Sequence, residues 1–251
     1  MSCIDDILNH ARTTSPDVAI ETVMIGLHWT AVRSRYLGLA ATQTGESCCY
    51  TEDINGAGQL HLQSAYALSN MLRSDVGPEA SVGMAALNSF LEVDEQNAVE
   101  LNARDVLVAK GRGKTAALVG HFHFSDAIRQ SAKTTWILEL EPREGDLPAS
   151  AAPEYLPQAD VIAITASTLL NHTFEDLAQY FRRDALVVML GPSTPLSRIL
   201  FDYGVDVLAG SRVTDVDSIL TMVSQASPLH RPAGLRRITL AKDKTLSAEF
   251  S

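Results

Sequence analysis

What this chain of 251 residues lacks narrows it first. No stretch of about 18 apolar residues occurs, so no membrane-spanning helix is expected. The opening "MSCIDDILNHAR" carries two acids before its first base, the reverse of a secretory leader, and a cytoplasmic protein is expected. Cysteine is scarce: Cys3 and the adjacent pair Cys48 and Cys49, an odd count that suits a reducing compartment. The pair lacks zinc-ribbon spacing and reads as thiols in a loop or strand, with a metal role as the alternative. Bases are outnumbered, 20 against 30 acids, and the deficit lies in front: residues 1–110 hold 14 acids and 6 bases, residues 111–251 hold 16 and 14. With no basic stripe interleaved with aromatics, nucleic acid is not an expected partner. Internal repeats, a nucleophile elbow and a recognisable Cys–His pairing are also missing, which leaves covalent catalysis without a signal.

What is present falls into two rhythms. The first half opens with a helix that buries Ile4, Ile7, Leu8 and Ala11, started by a capping box from Ser2 to Asp5. Two strand-like runs follow, "VAIETVMIGLHWTAV" and "YLGLAAT", which the short link makes an antiparallel pair. Helices are expected around 62–73 and 79–91. This is an α+β unit. In the second half, "TAALVG", "TTWILELE", "ADVIAIT", "ALVVML" and "VDVLAG" are mostly continuous apolar runs, as strands buried on both faces require, with helical patterns between several of them. That order predicts an α/β fold, a Rossmann-like parallel sheet domain preceded by the small α+β domain. The boundaries expected are 1–113, 114–230 and a tail at 231–251 carrying a short strand over 237–241.

The chemistry-bearing motifs gather after the strands of the second half. "GRGKT" at 111–115 lacks the upstream glycine of a phosphate loop and precedes a strand, so it reads as a turn. After the first strand Gly120 stands alone, followed by His121, Phe122, His123 and Phe124 where a dinucleotide fold needs further glycines, so an NAD or FAD site is not expected. His121 and His123, at i and i+2, would face one side of an extended segment and could share a divalent transition metal; the alternative is one exposed and one helix-flanking histidine. Glu139 and Glu141 could bring a carboxylate to the same mouth. "LGPSTPLS" places Gly191 in a tight turn and Thr194 before Pro195 as a helix start able to cap or to bind an anion. In "TASTLLNHTFED", a capping box from Thr173 to Asp176 accounts for Thr173, but not for Ser167, Thr168 and His172 as well. Thr214 with Asp217 reads as another box. If the strands follow the dinucleotide-fold order, the first and fourth flank the crevice, and Gly120–His123 face Gly191–Thr194.

In order and spacing, "ALVGHFHF", "LELEPREGDLP", "LPQADVIAITASTLLNHTFEDL" and "VVMLGPSTPLSRILFDYGVDVLAGSRVTD" resemble the domain-of-unknown-function family 364 (DUF364), the heavy-metal chelation family, over about residues 114–226. The first half, with "IGLHWTAV" and "GLAAT", resembles its companion domain, DUF4213-like. The resemblance implies an enolase-N-terminal-like domain followed by an atypical Rossmann-like one. Carried over residue by residue, it implies a site at Gly120, His121, Glu141, Asn171, Thr173, Gly191, Ser193 and Thr194. The chain departs from the family pattern at His123, where proline is commoner, and at His172, where a glycine is often found; both departures add imidazole.

Three functions remain open. The first is a metal, metal-chelate or small-metabolite binding protein, with His121, His123 and His172 as soft ligands, Glu141 as a hard one and Ser167 in the polar mouth. The second is an enzyme acting on a nucleotide-like or carboxylated metabolite, with His121 or His172 as acid–base group. The third is a noncatalytic scaffold whose polar residues only cap helices. Self-association is left open. Trp29 is read as core of the first domain, or as a lid over the crevice.

Overall fold

The structure, a computed structural model, describes residues 2–44, 54–93, 98–99, 101–229 and 233–243; Cys48 and Cys49 lie outside them. Helix α1 (Cys3–Thr14) begins with the expected capping box: Ser2 Oγ accepts the Asp5 N–H and the Asp5 carboxylate accepts the Ser2 N–H, both at 3.2 Å. Strands β1 (Thr22–Ile25), β2 (Trp29–Arg33) and β3 (Leu37–Ala41) form an antiparallel sheet in that order. The first apolar run is thus two strands, because a tight turn, closed by the Gly26 N–H on the Trp29 carbonyl at 2.9 Å, folds it back on itself. After α2 (Ala65–Ser69) comes α3 (Gly77–Phe90), whose Met84, Ala85, Ala86, Leu87 and Phe90 are all fully buried. It packs backbone to backbone on β3. A Cβ at Gly38 would stand 2.1 Å from the Ala85 carbonyl oxygen and 2.4 Å from the Ser89 nitrogen.

The second half runs α4 (Ala103–Gly111), β4 (Thr115–Val119), α5 (Ser125–Ser131), β5 (Thr134–Glu139), β6 (Leu147–Pro148), α6 (Ala152–Tyr155), β7 (Val161–Thr165), α7 (Ser167–Leu170), α8 (Phe174–Ala178), β8 (Leu186–Leu190), β9 (Val207–Val213), α9 (Val216–Ser224) and β10 (Leu235–Ala241). Its strands form one sheet in the order β10-β9-β8-β7-β4-β5-β6, parallel except for β10 against β9. Numbered within this sheet, β4 is the first strand and β7 the fourth, so the first strand lies beside the fourth. This is the dinucleotide-fold order expected from sequence, but the two-residue β6 carries no apolar run to mark it, so the fourth strand is β7 and not β8, and Gly120–His123 face the end of β7 and not Gly191–Thr194. The observed order has its reversal between β4 and β7.

Alternation along the strands divides the core into two faces. Ala116, Leu118, Ile137, Ala163 and Val188 pack with α4 and α5. Ala117, Val119, Leu138, Ile162, Ile164 and Met189 share a core with α1, α3 and the first sheet. The small domain thus covers one face of the large sheet. A third cluster joins β2 and β3 to α9 through Ala31, Leu39, Ile219 and Val223, and Trp29 packs there. Trp29 is therefore no lid; a structural aromatic fills the gap between a sheet and a helix.

Two expected helix starts are moved. Asp215, not Thr214, caps α9 by accepting the Ser218 N–H at 3.1 Å. No helix follows Thr194-Pro195; the next helical turn begins at Arg198. Among the described residues, no helix is long and apolar enough to cross a membrane.

Replacing Gly38 by alanine forces β3 away from α3, and a core overpacked in this way loses about 1–3 kcal/mol. Chemical denaturation of Gly38→Ala should show a lower midpoint with an unchanged slope.

Candidate functional site

At the end of β4 the chain must turn sharply, and Gly120 does so at φ +103, in the left-handed region that only glycine enters without strain. A Cβ there would touch the Thr165 side chain at 3.0 Å, so the two strand ends lie side by side. The next residue, His121, is fixed twice. Its backbone N–H donates to Glu139 Oε1 at 2.7 Å, and its Nε2 lies 2.6 Å from Asp146 Oδ2. Asp146 also accepts the Arg143 N–H at 2.9 Å and has the Arg129 guanidinium 3.7 Å away. The His121 hydrogen bond above all, then the Arg143 N–H and the nearby positive charges, hold the Asp146 carboxyl below the usual aspartate range against the opposing effect of partial burial.

Across from this pair the exit of β7 is tied by short-range bonds. Thr168 Oγ1 donates to the Thr165 carbonyl at 2.7 Å, the Ser167 N–H donates to Thr165 Oγ1 at 3.3 Å, and Asn171 Oδ1 accepts both the Thr173 hydroxyl at 2.7 Å and its N–H at 3.3 Å. Thr173 spends its hydroxyl on Asn171 and makes no side-chain cap to α8, contrary to the capping box expected with Asp176. Between the two strand ends lies a cavity of about 690 Å³. Gly120, His121, Ser167, Asn171 and Thr173 line it, with Glu139, Thr165, Asp176 and Tyr180, an apolar side of Leu138, Leu140 and Pro153, and Gln43 from the first domain.

The remaining expected residues lie elsewhere. Glu141 does not line the cavity; Glu139 does, since alternate residues of one strand end cannot both reach the same mouth once the strand stops at Glu139. Gly191, Ser193 and Thr194 follow β8, on the far side of β7 from β4, and are outside the cavity. Ser193 is buried, and its Oγ accepts the Ala41 N–H at 2.8 Å while its carbonyl accepts Asn88 Nδ2 at 3.1 Å, so it joins the two domains. The buried Thr194 hydroxyl finds no partner among the described residues, and nothing in the structure explains it. His123 sits in the turn into α5, edge-on to Phe124 at 5.1 Å; the backbone is not extended there, so it does not project with His121. His172, at φ 58, turns toward the first domain, with Nε2 2.9 Å from the Leu72 carbonyl oxygen and Nδ1 3.3 Å from Asp75. It lines a second cavity, of about 430 Å³, with Asp5, Arg73 and Glu175.

The three imidazoles are therefore not gathered. Among the described residues no group of three or more His, Cys, Asp or Glu side chains could hold a metal ion. The described thiol, Cys3, is pushed up to about 12 by burial and by the nearby Glu175 and Asp6 charges, which keeps it protonated at neutral pH. Among the described residues no set of protein donors fits a heavy metal held by the chain alone. Sequence reasoning missed Asp146 and Tyr180, which no local pattern marks; Thr165, the last residue of its strand, had the strand end as its signal.

Comparison with known proteins follows the same outline. The model of family DUF364, described as "Putative heavy-metal chelation", matches residues 102–242, and that of DUF4213, with the same description, matches residues 6–91. An uncharacterized protein of Methanocaldococcus jannaschii is 26% identical over 163 residues, 59% of this chain and 60% of that protein, so the match spans less than two thirds of the relative's length. Two crystal structures of DUF364 proteins of unknown function have the same fold. The one from Desulfitobacterium hafniense has a TM-score of 0.82 at 23% identity, covering 95% of this chain and 97% of that one. The one from Pyrococcus horikoshii has a TM-score of 0.82 at 19% identity, covering 96% and 100%.

The depressed Asp146 acidity has a sign. A carboxyl held below its unfolded value stabilises the fold above the ordinary aspartate range, and that contribution disappears as pH falls through the folded value. Asp146→Asn should melt below the wild type at neutral pH, and the gap should close as thermal melts are taken to progressively lower pH.

Proposed function

Since the chain belongs to the DUF364 family, we propose that it binds a small polar molecule in the cavity at the carboxyl ends of β4 and β7. The observation that carries this is convergence. Gly120, His121, Glu139, Thr165, Ser167, Asn171 and Thr173 come from three strand ends and meet around one space. That space lies where the strand order reverses, the place at which open parallel sheets hold ligands. Its size falls in the range of about 300–1,000 Å³ typical of small-molecule sites, and its mix of apolar wall and few polar groups is of the same kind. With the donors the described residues offer, a heavy metal suits this cavity when it arrives already wrapped in an organic chelator, which brings its own donor atoms and leaves the protein to recognise the complex. Ser167, Asn171 and Thr173 would orient that complex, and His121, braced by Asp146, would meet its polar edge.

One observation favours a second use of the same site. The His121–Asp146 pair has the arrangement in which a carboxylate fixes an imidazole for proton transfer. Were a reaction to occur, His121 is the group placed to move the proton.

Thermal melts of the whole protein with bare nickel and with nickel in excess histidine test the proposal. A chelate at about 100 times its Kd adds about 2.7 kcal/mol of stability, so the wild type should melt several degrees higher with the chelate. Asn171→Ala, which costs about 1 kcal/mol by itself, should lose that response. Bare nickel should act weakly and equally on wild type and His121→Ala. Identical responses of wild type and Asn171→Ala to the chelate would remove the cavity as the binding site.

A further inference from the structure

Taking the cavity as the binding site, we propose that its occupant is a phosphate-free nucleoside, uncharged or cationic, whose two ribose hydroxyls are held by Glu139. Glu139 ends β5, the strand beside β4, and follows Gly120 by 19 positions (139 less 120). In dinucleotide folds an acid about 20 residues beyond the turn glycine, at the end of the second strand, takes the ribose hydroxyls. Its carboxylate is already oriented here, with Oε1 accepting the His121 N–H at 2.7 Å and Oε2 the Leu140 N–H at 3.2 Å. A carboxylate has about four acceptor sites, so each oxygen keeps room for one hydroxyl donor, the demand of a vicinal diol. Beside it Leu140 is 67% exposed and lines the cavity, as Pro153 does, and these apolar side chains are available to a base.

The same loop turns phosphate away. A dinucleotide fold offers free backbone N–H groups after the first strand. Here the His121 N–H is taken by Glu139, and the Phe122 N–H is taken by Ser125 Oγ at 3.2 Å. No glycine lies between Gly120 and Ser125 to let a pyrophosphate approach. The charge agrees: Glu139 and Asp176 line the cavity, and no lysine or arginine does among the described residues. An anion would meet two carboxylates with no compensating cation. The acid of the ribose site is kept while the phosphate cradle is absent, and a nucleoside is the ligand class that fits both facts. From the sugar, the cavity continues over Gly120 to Ser167, Asn171 and Thr173, where a further polar substituent would be held.

Calorimetric titration of the whole protein with adenosine, 2′,3′-dideoxyadenosine and ADP tests this. Adenosine should bind. Dideoxyadenosine should bind at least about tenfold more weakly, the value of a hydrogen bond to a charged group, and ADP more weakly than adenosine. In Glu139→Gln, adenosine and dideoxyadenosine should approach each other in affinity. Equal affinities of adenosine and dideoxyadenosine for the wild type, tighter binding of ADP, or no heat from adenosine at millimolar concentration would each overturn the proposal; none of these comparisons needs the variant to fold. If adenosine fails while the nickel–histidine complex still distinguishes wild type from Asn171→Ala, the cavity stands and the nucleoside falls. If both fail, the site itself is wrong.

Discussion

A parallel sheet with apolar residues on both sides must be covered on both sides, and in this protein one cover is an entire domain. Helices α4 and α5 lie on one face; on the other, Ala117, Val119, Ile162 and Met189 pack into the same core as Ile7, Leu8, Met84 and Phe90. The two domains are therefore not beads on a string. Their contact is fixed by polar bonds as well: Asn88 Nδ2 donates both to the Leu39 carbonyl and to the Ser193 carbonyl, at 3.0 and 3.1 Å, and Ser193 Oγ accepts the Ala41 N–H. Two residues beyond Ala41, Gln43 reaches the cavity wall. The docking that buries the sheet also sets the front of the crevice.

The position of the crevice follows from strand order. Between β4 and β7 the chain has gone outward to β5 and β6 and come back, so the loops leaving the two strands diverge and a space opens between them. On one side of that space lie Gly120 and His121, on the other Thr165 to Thr173. Local bonds keep both sides in place without a ligand: Asp146 and Glu139 fix His121, and Asn171 fixes Thr173. A rim assembled in this way presents its polar groups in one geometry before anything binds, which limits the ordering cost of binding.

Much of this was readable in the chain. Continuous runs such as "VIAIT" and "LVVML" marked buried strands, the Ser2–Asp5 box marked the first helix, and Gly120 followed by two histidines marked a strand end unlike a dinucleotide site. The resemblance to the DUF364 family agreed with that outline. The strand order was readable, but the two-residue β6 was not, and without it the residues expected to face His121 fall one strand too far along. Thr194-Pro195 has the local chemistry of a helix start, yet the segment is buried, with the Thr194 carbonyl against Gly210, and no helix forms there. His121 and His123 have metal-ligand spacing, but spacing becomes geometry only on a known backbone, and the turn into α5 separates them. Glu139 and Glu141 were equivalent by pattern; where the strand stops decided between them. Asp146 is 25 residues from the imidazole it holds, a distance in sequence that no periodicity spans.

The last strand has a mechanical meaning. Strand β10 pairs with β9 through seven registered residues, and Thr239 exchanges backbone hydrogen bonds with Val99, at 2.9 and 3.0 Å, in the stretch that connects the two domains. The connector is thus laced to the chain's far end. A truncation ahead of Leu235 would strip the flank of the sheet, leave β9 as an open template for foreign strands, and unmoor the connector in the same stroke.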